Sequence, residues 1–416
     1  MTTLHPPSHK REAAAADRPA GDATYLYCAR ALRDFGDGFV AVLLPVYLTA
    51  IGLGPIEVGV VATFALLGSA LMTLGIGLMG ARLDQRHLLI AASGLMVATG
   101  ILFALSSTYA VILIIALAGT INPSAGSVSI FVPLEHALLA RAAPDASRTA
   151  IFARYSLIGA LAAAVGSLAA ASPELVARFG VDQLTALKAM FVLYALLGIA
   201  GGILYARIRP ARDKQAERQA AHSALGPSRR IVYKLAALFS IDAFAGGFAV
   251  QSLLALWLFE RFGLSLATAA LFFFWSGVFA AFSFPVAAWL SRRIGLVNTM
   301  VYTHIPSSLA LILAAVAPSV EVALALLLVR AALSQMDVPT RSSYVMAVVT
   351  PPERAAAASF TSVPRSLAAA ASPALAGAMF AAGHQAWPLI ICGALKIAYD
   401  LALLWAFRHV KPPEES

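Results

Sequence analysis

The chain has 416 residues, of which 60% are hydrophobic and 12% are charged, and its mean hydropathy is +0.80. A water-soluble domain carries about twice that charged fraction, so this composition excludes an ordinary soluble domain. The net charge of +9 comes from Lys and Arg between apolar stretches. Because no soluble segment combines a basic patch with aromatic residues, nucleic acid is not expected as a partner.

About twelve long apolar stretches follow one another between Tyr25 and Arg408. Roughly 20 apolar residues cross a bilayer as a helix, so each stretch predicts one membrane span. The predicted spans lie at about 26–51, 56–80, 87–105, 110–139, 148–171, 184–206, 232–259, 265–290, 296–316, 321–348, 355–381 and 386–408. The sequence thus predicts an all-α integral membrane protein with twelve transmembrane helices.

Lys and Arg are concentrated in the two tails and the even-numbered connections, whereas the odd-numbered ones contain only Arg178, Lys188 and Arg261. Positive residues in short loops mark the cytoplasmic side. Both termini are therefore expected in the cytoplasm, and we expect a multi-pass protein of a bacterial-type inner (plasma) membrane.

The chain divides around its longest internal polar run. We expect a disordered cytoplasmic tail (1–24) without a cleavable signal peptide, a six-helix bundle (25–206), a cytoplasmic linker (207–231), a second six-helix bundle (232–408) and a short cytoplasmic tail (409–416). A weak internal repeat supports two homologous halves. Pro133 and Pro339 are 206 residues apart, and Gly38 and Gly247 are 209 apart.

With these features the chain resembles the major facilitator superfamily over about residues 25–408. The family's signature loop after the second helix has the form G-x-x-x-D-R-x-G-R-R. Residues 77–86 keep the first Gly and the arginines Arg82 and Arg86, whereas Ala81 and Asp84 replace the Asp and the second Gly. The resemblance implies an alternating-access secondary transporter of two six-helix pseudo-repeats. It also implies a cytoplasmic gate at this loop, with Arg82, Asp84, Arg86 and, in the second half, Arg293 as candidates.

No motif of a soluble catalytic site occurs. A Walker loop, a Gly-x-Ser-x-Gly elbow and zinc-ligand spacings are all missing from the sequence. The two cysteines, Cys28 and Cys392, lie far apart and indicate no disulfide framework. We therefore expect neither an enzyme nor a bound cofactor or metal.

Acidic residues inside the spans are the candidates for proton coupling, namely Asp34, Asp37, Asp242 and Asp337. A charged side chain costs roughly 2.5–3.5 kcal/mol at the centre of a membrane helix, so few occur without a partner or a function. Asp34 follows Arg30 by four residues and Asp37 follows Arg33 by four, which predicts two local ion pairs. Asp242 has no basic residue within four positions. Structural ion pairing and proton carriage both remain open for each acid.

Substrate contacts are expected from arginines and serines inside the spans: Arg154, Arg330, Arg365, Ser124 and Ser127. Arginines in a membrane helix avoid lipid and suit an anionic group. The two serines belong to a predicted break of the fourth span, where freed backbone groups can line a cavity. A simple kink, with the serines bonded to their own turn, is the alternative.

Other charged residues predict gates and structural pairs. Glu135 and His136 end the fourth span close in depth to Arg154 and are candidates for a cytoplasmic gate. Arg341 is expected to pair with Asp337, four residues before it, and is a further gate candidate. We also expect a structural pair between Lys396 and Asp400, and a packing role for His304.

The working hypothesis is a proton-coupled transporter that exports a small amphipathic or toxic compound, since the eighth span carries the aromatic run 271–275. One alternative is a transporter of small organic anions that uses the intramembrane arginines. Another is a non-transporting sensor built on a transporter fold. The expected partners are a small-molecule substrate, protons or another coupling ion, and the lipid bilayer, and we expect a monomer.

Overall fold

The structure, a computed structural model, describes residues 18–79, 84–124, 129–142, 148–209, 226–350 and 353–408. These residues are mostly helical. In chain order the helices are α1 (Arg18–Ala50), α2 (Pro55–Met79), α3 (Gln85–Leu105), α4 (Tyr109–Ala118), α5 (Phe131–Ala142), α6 (Arg148–Ala169), α7 (Ser172–Ala177), α8 (Gln183–Arg207), α9 (Arg229–Gly247), α10 (Gln251–Phe262), α11 (Leu266–Ile294), α12 (Leu296–Ala315), α13 (Val320–Ser334), α14 (Asp337–Val348), α15 (Arg354–Ala371), α16 (Pro373–Ala381) and α17 (Trp387–Phe407).

Within these ranges, nine helical segments are long and apolar enough to cross a membrane, and α4 is a shorter apolar helix. The long α1 carries several charged side chains, and the pairs α4–α5 and α15–α16 are interrupted. Counted as one pass each, these three additions are consistent with twelve passes. The prediction of an all-α membrane protein is confirmed, and intact apolar helices satisfy their backbone hydrogen bonds internally, as a bilayer requires.

Several predicted spans are broken into two helices. The predicted break of the fourth span is confirmed, because α4 ends at Ala118 and α5 begins only at Phe131. In the tenth span the break precedes Pro339, which lies in the first turn of α14, where a missing N–H costs little. Pro364 does not interrupt α15. Helix α1 begins at Arg18, within the predicted tail, and the helices that flank the linker end at Arg207 and begin at Arg229.

One close helix crossing occurs in both halves at equivalent positions. A Cβ atom on Gly38 would lie 2.1 Å from the carbonyl oxygen of Ala163, where α1 crosses α6. A Cβ atom on Gly247 would lie 2.5 Å from the carbonyl oxygen of Ala369, where α9 crosses α15. The two glycines are 209 residues apart and the two alanines 206 apart. The weak sequence repeat therefore corresponds to a repeated packing contact between backbones.

The two halves meet at one end of the bundle. We call the end with Arg207 and Arg229 the linker side, and the opposite end, with the connections at 51–54 and 263–265, the far side. Near the far side, the amide of Ala374 donates to Thr63 Oγ1 (3.0 Å). A Cβ atom on Gly59 would lie 2.5 Å from the carbonyl oxygen of Pro373, so α2 and α16 touch backbone to backbone. The far side is closed in this conformation.

We expect Gly59→Ala to open the far side, because the added Cβ has no room against the backbone of α16. Spin labels on cysteines at Ile56 and Leu375, both exposed, would report the separation of α2 and α16 in a Cys28→Ser chain. The distance distribution should move to longer values. Gly94→Ala is the control, since nothing lies within 4 Å of its Cβ position. Unchanged distances in the Gly59 variant would contradict this account of closure.

Candidate functional site

Four charged residues of α1 and α5 form a buried group that we call the N-terminal cluster: Arg30, Arg33, Asp34 and Glu135. Arg30 Nε lies 2.6 Å from Asp34 Oδ2, which confirms the predicted local pair. Arg33 Nη2 lies 2.9 Å from Glu135 Oε2 and 3.5 Å from Asp34 Oδ1. Two cations and two anions thus neutralise one another at a buried position where water does not solvate their charges.

Glu135 is the best-satisfied acid of this cluster. Its side chain is 0% exposed. Tyr205 donates its hydroxyl to Oε1 (2.6 Å), and Tyr155 donates to Oε2, the oxygen that also faces Arg33. The Arg33 guanidinium lies over the Phe131 ring, 4.9 Å from its centroid. Helices α1, α5, α6 and α8 therefore all contribute to holding this carboxylate.

Asp37 lies one turn deeper than this cluster and differs from the other acids. The predicted pair with Arg33 is wrong, because Arg33 turns to Glu135 and Asp34 instead. Among the described residues Asp37 has no ion-pair partner, and its Oδ1 accepts a hydrogen bond from the Tyr194 hydroxyl at 3.3 Å. The side chain is nevertheless only 2% exposed. A buried carboxyl without a cation is unusual in a membrane helix.

In the second half, Asp242, Asp337, Arg341 and Lys396 form what we call the C-terminal cluster. Asp242 Oδ1 lies 2.6 Å from Lys396 Nζ, and Asp242 Oδ2 lies 3.3 Å from Arg341 Nη1. The predicted pair of Arg341 with Asp337 is confirmed at 2.8 Å. The basic partners of Asp242 come from α14 and α17, so it pairs across helices, which is one of the two alternatives that the sequence left open.

His304 joins this cluster from α12. Its Nδ1 lies 3.1 Å from Asp400 Oδ1, and its Nε2 lies 3.4 Å from Lys396 Nζ. The predicted pair of Lys396 with Asp400 is therefore wrong, because Lys396 binds Asp242 and Asp400 binds His304. His304 has polar partners on two sides rather than a packing role alone.

The two clusters are related by the internal repeat, with their charges inverted. Arg33 and Asp242 are 209 residues apart, and Glu135 and Arg341 are 206 apart, the same offsets as in the repeated helix crossing. In one half the cation is on the first helix and the acid on the fourth pass. In the other half the acid is on the first helix and the cation on the fourth pass. Each half thus joins its first and fourth passes by one buried ion pair.

The three arginines predicted to bind substrate occupy different surroundings. Arg154 is exposed on α6, and Ser307 donates to the backbone oxygen of Arg330 on α13. Among the described residues none of the three forms an ion pair with an acid. They lie on three different helices, α6, α13 and α15.

Arg365 has the most distinctive environment of the three. It lies on α15 next to a stripe of serines at helical spacing, and Ser359 and Ser362 are exposed while Ser366 is partly buried. The Arg365 Nε is buried without a hydrogen-bond acceptor among the described residues. A polar exposed stripe on a membrane helix suits a water-filled cavity better than lipid.

The remaining predicted site residues have local roles. Asp84 accepts from the amide of Arg86 at the start of α3, and the Arg86 guanidinium donates to the backbone oxygen of Ala206. Arg293 lies over the Trp289 ring, 4.4 Å from its centroid. Elsewhere, His136 contacts the rings of Phe152 and Tyr155, the amide of Ser124 donates to Asn122 Oδ1, and Arg82 and Ser127 lie outside the described residues.

One linker-side contact was not anticipated from the sequence. Glu353 accepts hydrogen bonds from the Thr350 and Ser228 hydroxyls and from the amides of Gly226 and Ser228. These donors, Thr350 first, hold the pKa of Glu353 at about 2, below the ordinary range of a carboxyl. The carboxylate thereby fastens the end of the linker to the connection between α14 and α15. A Glu that follows two prolines in a loop does not predict hydrogen bonds to residues more than a hundred positions earlier in the chain.

The aromatic run of the eighth span does not line a cavity as a unit. Leu271, Trp275, Phe279 and Phe282 are exposed at helical spacing along one side of α11, whereas Phe272 and Phe273 are buried. An exposed apolar stripe is what a helix presents to lipid. The run therefore lends no support to an amphipathic substrate.

The sequence and the fold were compared with known protein families and solved structures. The model of the Major Facilitator Superfamily matches residues 26–333 and 237–416. The chain therefore belongs to the Major Facilitator Superfamily, which indicates a membrane transporter rather than an enzyme.

An uncharacterized membrane protein of Saccharomyces cerevisiae is 24% identical over 429 residues, covering 94% of each chain. A bacterial homologue of the human lysosomal transporter Spinster, in an inward-facing and unoccupied conformation, has a TM-score of 0.69 at 16% identity, covering 94% of this chain and 95% of that one. The xylose transporter XylE from E. coli, partially occluded and inward open, has a TM-score of 0.73 at 14% identity, covering 96% and 99%. At these identities the structures establish the fold alone.

Proposed function

We propose that this protein is an alternating-access secondary transporter coupled to protons, with Asp37 as the proton-carrying group. The observation that supports this assignment is the environment of Asp37, which is buried and accepts from Tyr194 with no ion-pair partner among the described residues. Burial favours the neutral form of a carboxyl, whereas a nearby cation favours the charged form. Among the four candidate acids, Asp37 is thus the one that can take up a proton without breaking an ion pair.

The other three proton-coupling candidates are less suited to this role. Asp34, Asp242 and Asp337 each lie within 2.6–2.8 Å of a basic nitrogen. Protonating Asp34 or Asp242 would leave a buried cation without its nearest acid, which costs several kcal/mol, on the order of 3–5. Protonating Asp337 would cost less, because Arg341 also lies 3.3 Å from Asp242, but it would still remove the shorter contact of Arg341. We therefore assign these acids to the structure of the two halves.

The transport cycle follows from the closed far side. In an alternating-access cycle, closing the far side allows the linker side to open, and the charge pattern predicts that the linker side faces the cytoplasm. The proposed orientation has both termini in the cytoplasm of an inner or plasma membrane. Protons entering from outside and leaving to the cytoplasm through Asp37 would drive export of a small amphipathic or toxic compound by antiport.

Asp37→Asn is expected to abolish proton-driven accumulation while substrate exchange at equilibrium persists, because exchange requires only that the loaded carrier reorients. Proteoliposomes with and without an imposed pH gradient separate the two activities. Asp182→Asn, a change at the exposed start of α8, is the control. Undiminished gradient-driven transport by the Asp37 variant would remove Asp37 from the mechanism. A wild-type protein that neither accumulates nor exchanges any tested compound would favour the non-transporting sensor.

A second candidate function is transport of a small organic anion, and the environment of Arg365 favours it. The arginine lies beside an exposed serine stripe and its Nε lacks an acceptor among the described residues. A planar guanidinium binds a carboxylate or phosphate through two parallel hydrogen bonds. Such a ligand would supply the acceptor that Arg365 lacks.

For an anionic substrate, Arg365→Gln should raise the apparent KM by about tenfold or more, because a charge-assisted hydrogen bond of roughly 1.5–3 kcal/mol is lost. Arg365→Lys should restore only part of the affinity, since an ammonium lacks the planar fork. Arg261→Gln, near the far side, serves as the control. If Arg365→Gln leaves the KM values for a panel of carboxylates and phosphate esters unchanged, the anion hypothesis is contradicted. A neutral or cationic compound would then be the expected substrate.

A further inference from the structure

The group formed by His304 and Asp400 is not used by the proposed function. His304 is 2% exposed and Asp400 is 0% exposed. The His304 Nδ1 lies 3.1 Å from Asp400 Oδ1, and the second oxygen, Oδ2, is buried with no hydrogen-bond partner among the described residues. Asp400 Oδ1 accepts from the Nδ1–H of the ring, and an ionised carboxylate is the partner that an imidazolium requires in a medium of low dielectric constant. The geometry therefore provides a place for one added proton at His304 Nε2.

The other ring nitrogen of His304 faces a cation. Its Nε2 lies 3.4 Å from Lys396 Nζ, which also binds Asp242 Oδ1 at 2.6 Å. A neutral imidazole accepts a hydrogen bond from the ammonium at this distance. An imidazolium has no acceptor nitrogen and repels the ammonium. The proton content of the His304–Asp400 pair therefore decides whether Lys396 keeps both of its partners.

We propose that His304 and Asp400 form a second proton-binding site, which acts through Lys396 on the ion pair of Asp242 with Arg341. Binding transfers one proton from water to the pair and raises its charge by one, and no other bond forms or breaks. Lys396 then moves away from the ring, and its contact with Asp242 changes. Because Asp242 and Arg341 join the first and fourth passes of the second half, the proton biases how these helices pack.

Charged and titratable groups come close to His304 or lie on helices that pack against α12. They are Cys392, Lys396, Tyr399 and Asp400 on α17, Asp242 on α9, Asp337 and Arg341 on α14, Arg330 on α13, and, at the linker-side end of α11, Arg292 and Arg293. Lys396 and Asp400 are in direct hydrogen-bond range of the ring, and Asp242 lies at 3.9 Å. Histidine is the side chain type whose ordinary pKa lies nearest to neutral pH, which sets the pH range of the test.

The inference rests on the proposed function only in that the chain alternates between conformations. We therefore test it in the Asp37→Asn chain, which removes the first proton site. The spin-label pair at Ile56 and Leu375 reports the ratio of far-side-closed to far-side-open molecules between about pH 5 and about pH 8. One linked proton changes this ratio by up to about tenfold per pH unit. The Asp37→Asn chain should retain such a pH dependence.

Adding His304→Gln or Asp400→Asn should make the ratio independent of pH, whereas adding His384→Gln, a change of an exposed histidine, should not. A flat profile in the Asp37→Asn chain, or an undiminished slope after His304→Gln, would overturn the second site. If the chain with His304→Gln does not fold, the Asp400→Asn chain, whose side chain keeps the same shape, decides in the same way. Failure of proton coupling through Asp37 appears separately, as undiminished gradient-driven transport.

Discussion

Replacing Glu135 with Gln is expected to lower the free energy of unfolding by about 3–5 kcal/mol, the cost of removing one partner of a buried ion pair. The amide keeps the shape and an acceptor oxygen, so Tyr155 and Tyr205 can still donate to the side chain. The charge opposite Arg33 is lost, however, and among the described residues the one acid that still pairs with Arg33 is Asp34, at the longer distance of 3.5 Å. The uncompensated guanidinium is buried on all sides. Thermal and denaturant-induced unfolding in detergent micelles would measure the loss.

Glu260→Gln is the matched control, because Glu260 is exposed. It should change stability by no more than about 0.5 kcal/mol. The double substitution Arg33→Met with Glu135→Met should recover most of the stability, since apolar side chains of similar volume often replace a buried ion pair without loss. A double variant as unstable as Glu135→Gln would show that lost packing, and not the stranded charge, causes the effect.

The spans and the break of the fourth span were predictable because they depend on local properties of the sequence. Length and apolar composition decide whether a segment can cross a bilayer. Pro123 lies in the predicted break of the fourth span and Pro373 begins α16, in agreement with the effect of proline on a helix. Helix ends near charged residues are not decided by apolar composition, as the start of α1 at Arg18 illustrates.

The partners of the buried charges were not predictable from local spacing. The rule for residues four apart paired Arg30 with Asp34 correctly but also paired Arg33 with Asp37 and Lys396 with Asp400. In the structure Arg33 binds a carboxylate 102 residues away, and Lys396 binds one 154 residues away. Local spacing identifies which side chains share a helix face, whereas the partner across the bundle depends on how the helices pack.

The internal repeat carried a signal for these partners. Applied to the charged residues, the offsets of 206 and 209 relate Arg33 to Asp242 and Glu135 to Arg341. At both positions the charge has the opposite sign in the two halves. Either change alone would place two like charges together, whereas both changes together keep one cation opposite one acid. A paired inversion of this kind indicates a contact between the first and fourth passes without any structure.

Asp242→Asn is expected to be nearly as damaging as the change at Glu135, with a loss of about 3–5 kcal/mol in the free energy of unfolding. Asp242 is the common acid of two cations, at 2.6 Å from Lys396 and 3.3 Å from Arg341. After the substitution Arg341 still has Asp337 at 2.8 Å. Lys396 retains only the ring nitrogen of His304, so its ammonium becomes the stranded charge. Asp337→Asn should cost less, because Arg341 then keeps Asp242.

The rescue of this variant identifies the charge responsible. Asp242→Asn combined with Lys396→Met should regain most of the stability, because the stranded ammonium is gone. Asp242→Asn combined with Arg341→Met should not, since that change removes the cation that still had an acid and strands Asp337 as well. Unfolding of the wild type, the three single variants Asp242→Asn, Lys396→Met and Arg341→Met, and the two double variants under one set of conditions gives both coupling energies. Equal rescue by both double variants would contradict this account. It would mean that Asp242 stabilises Lys396 and Arg341 to the same extent, although Lys396 lies closer to it.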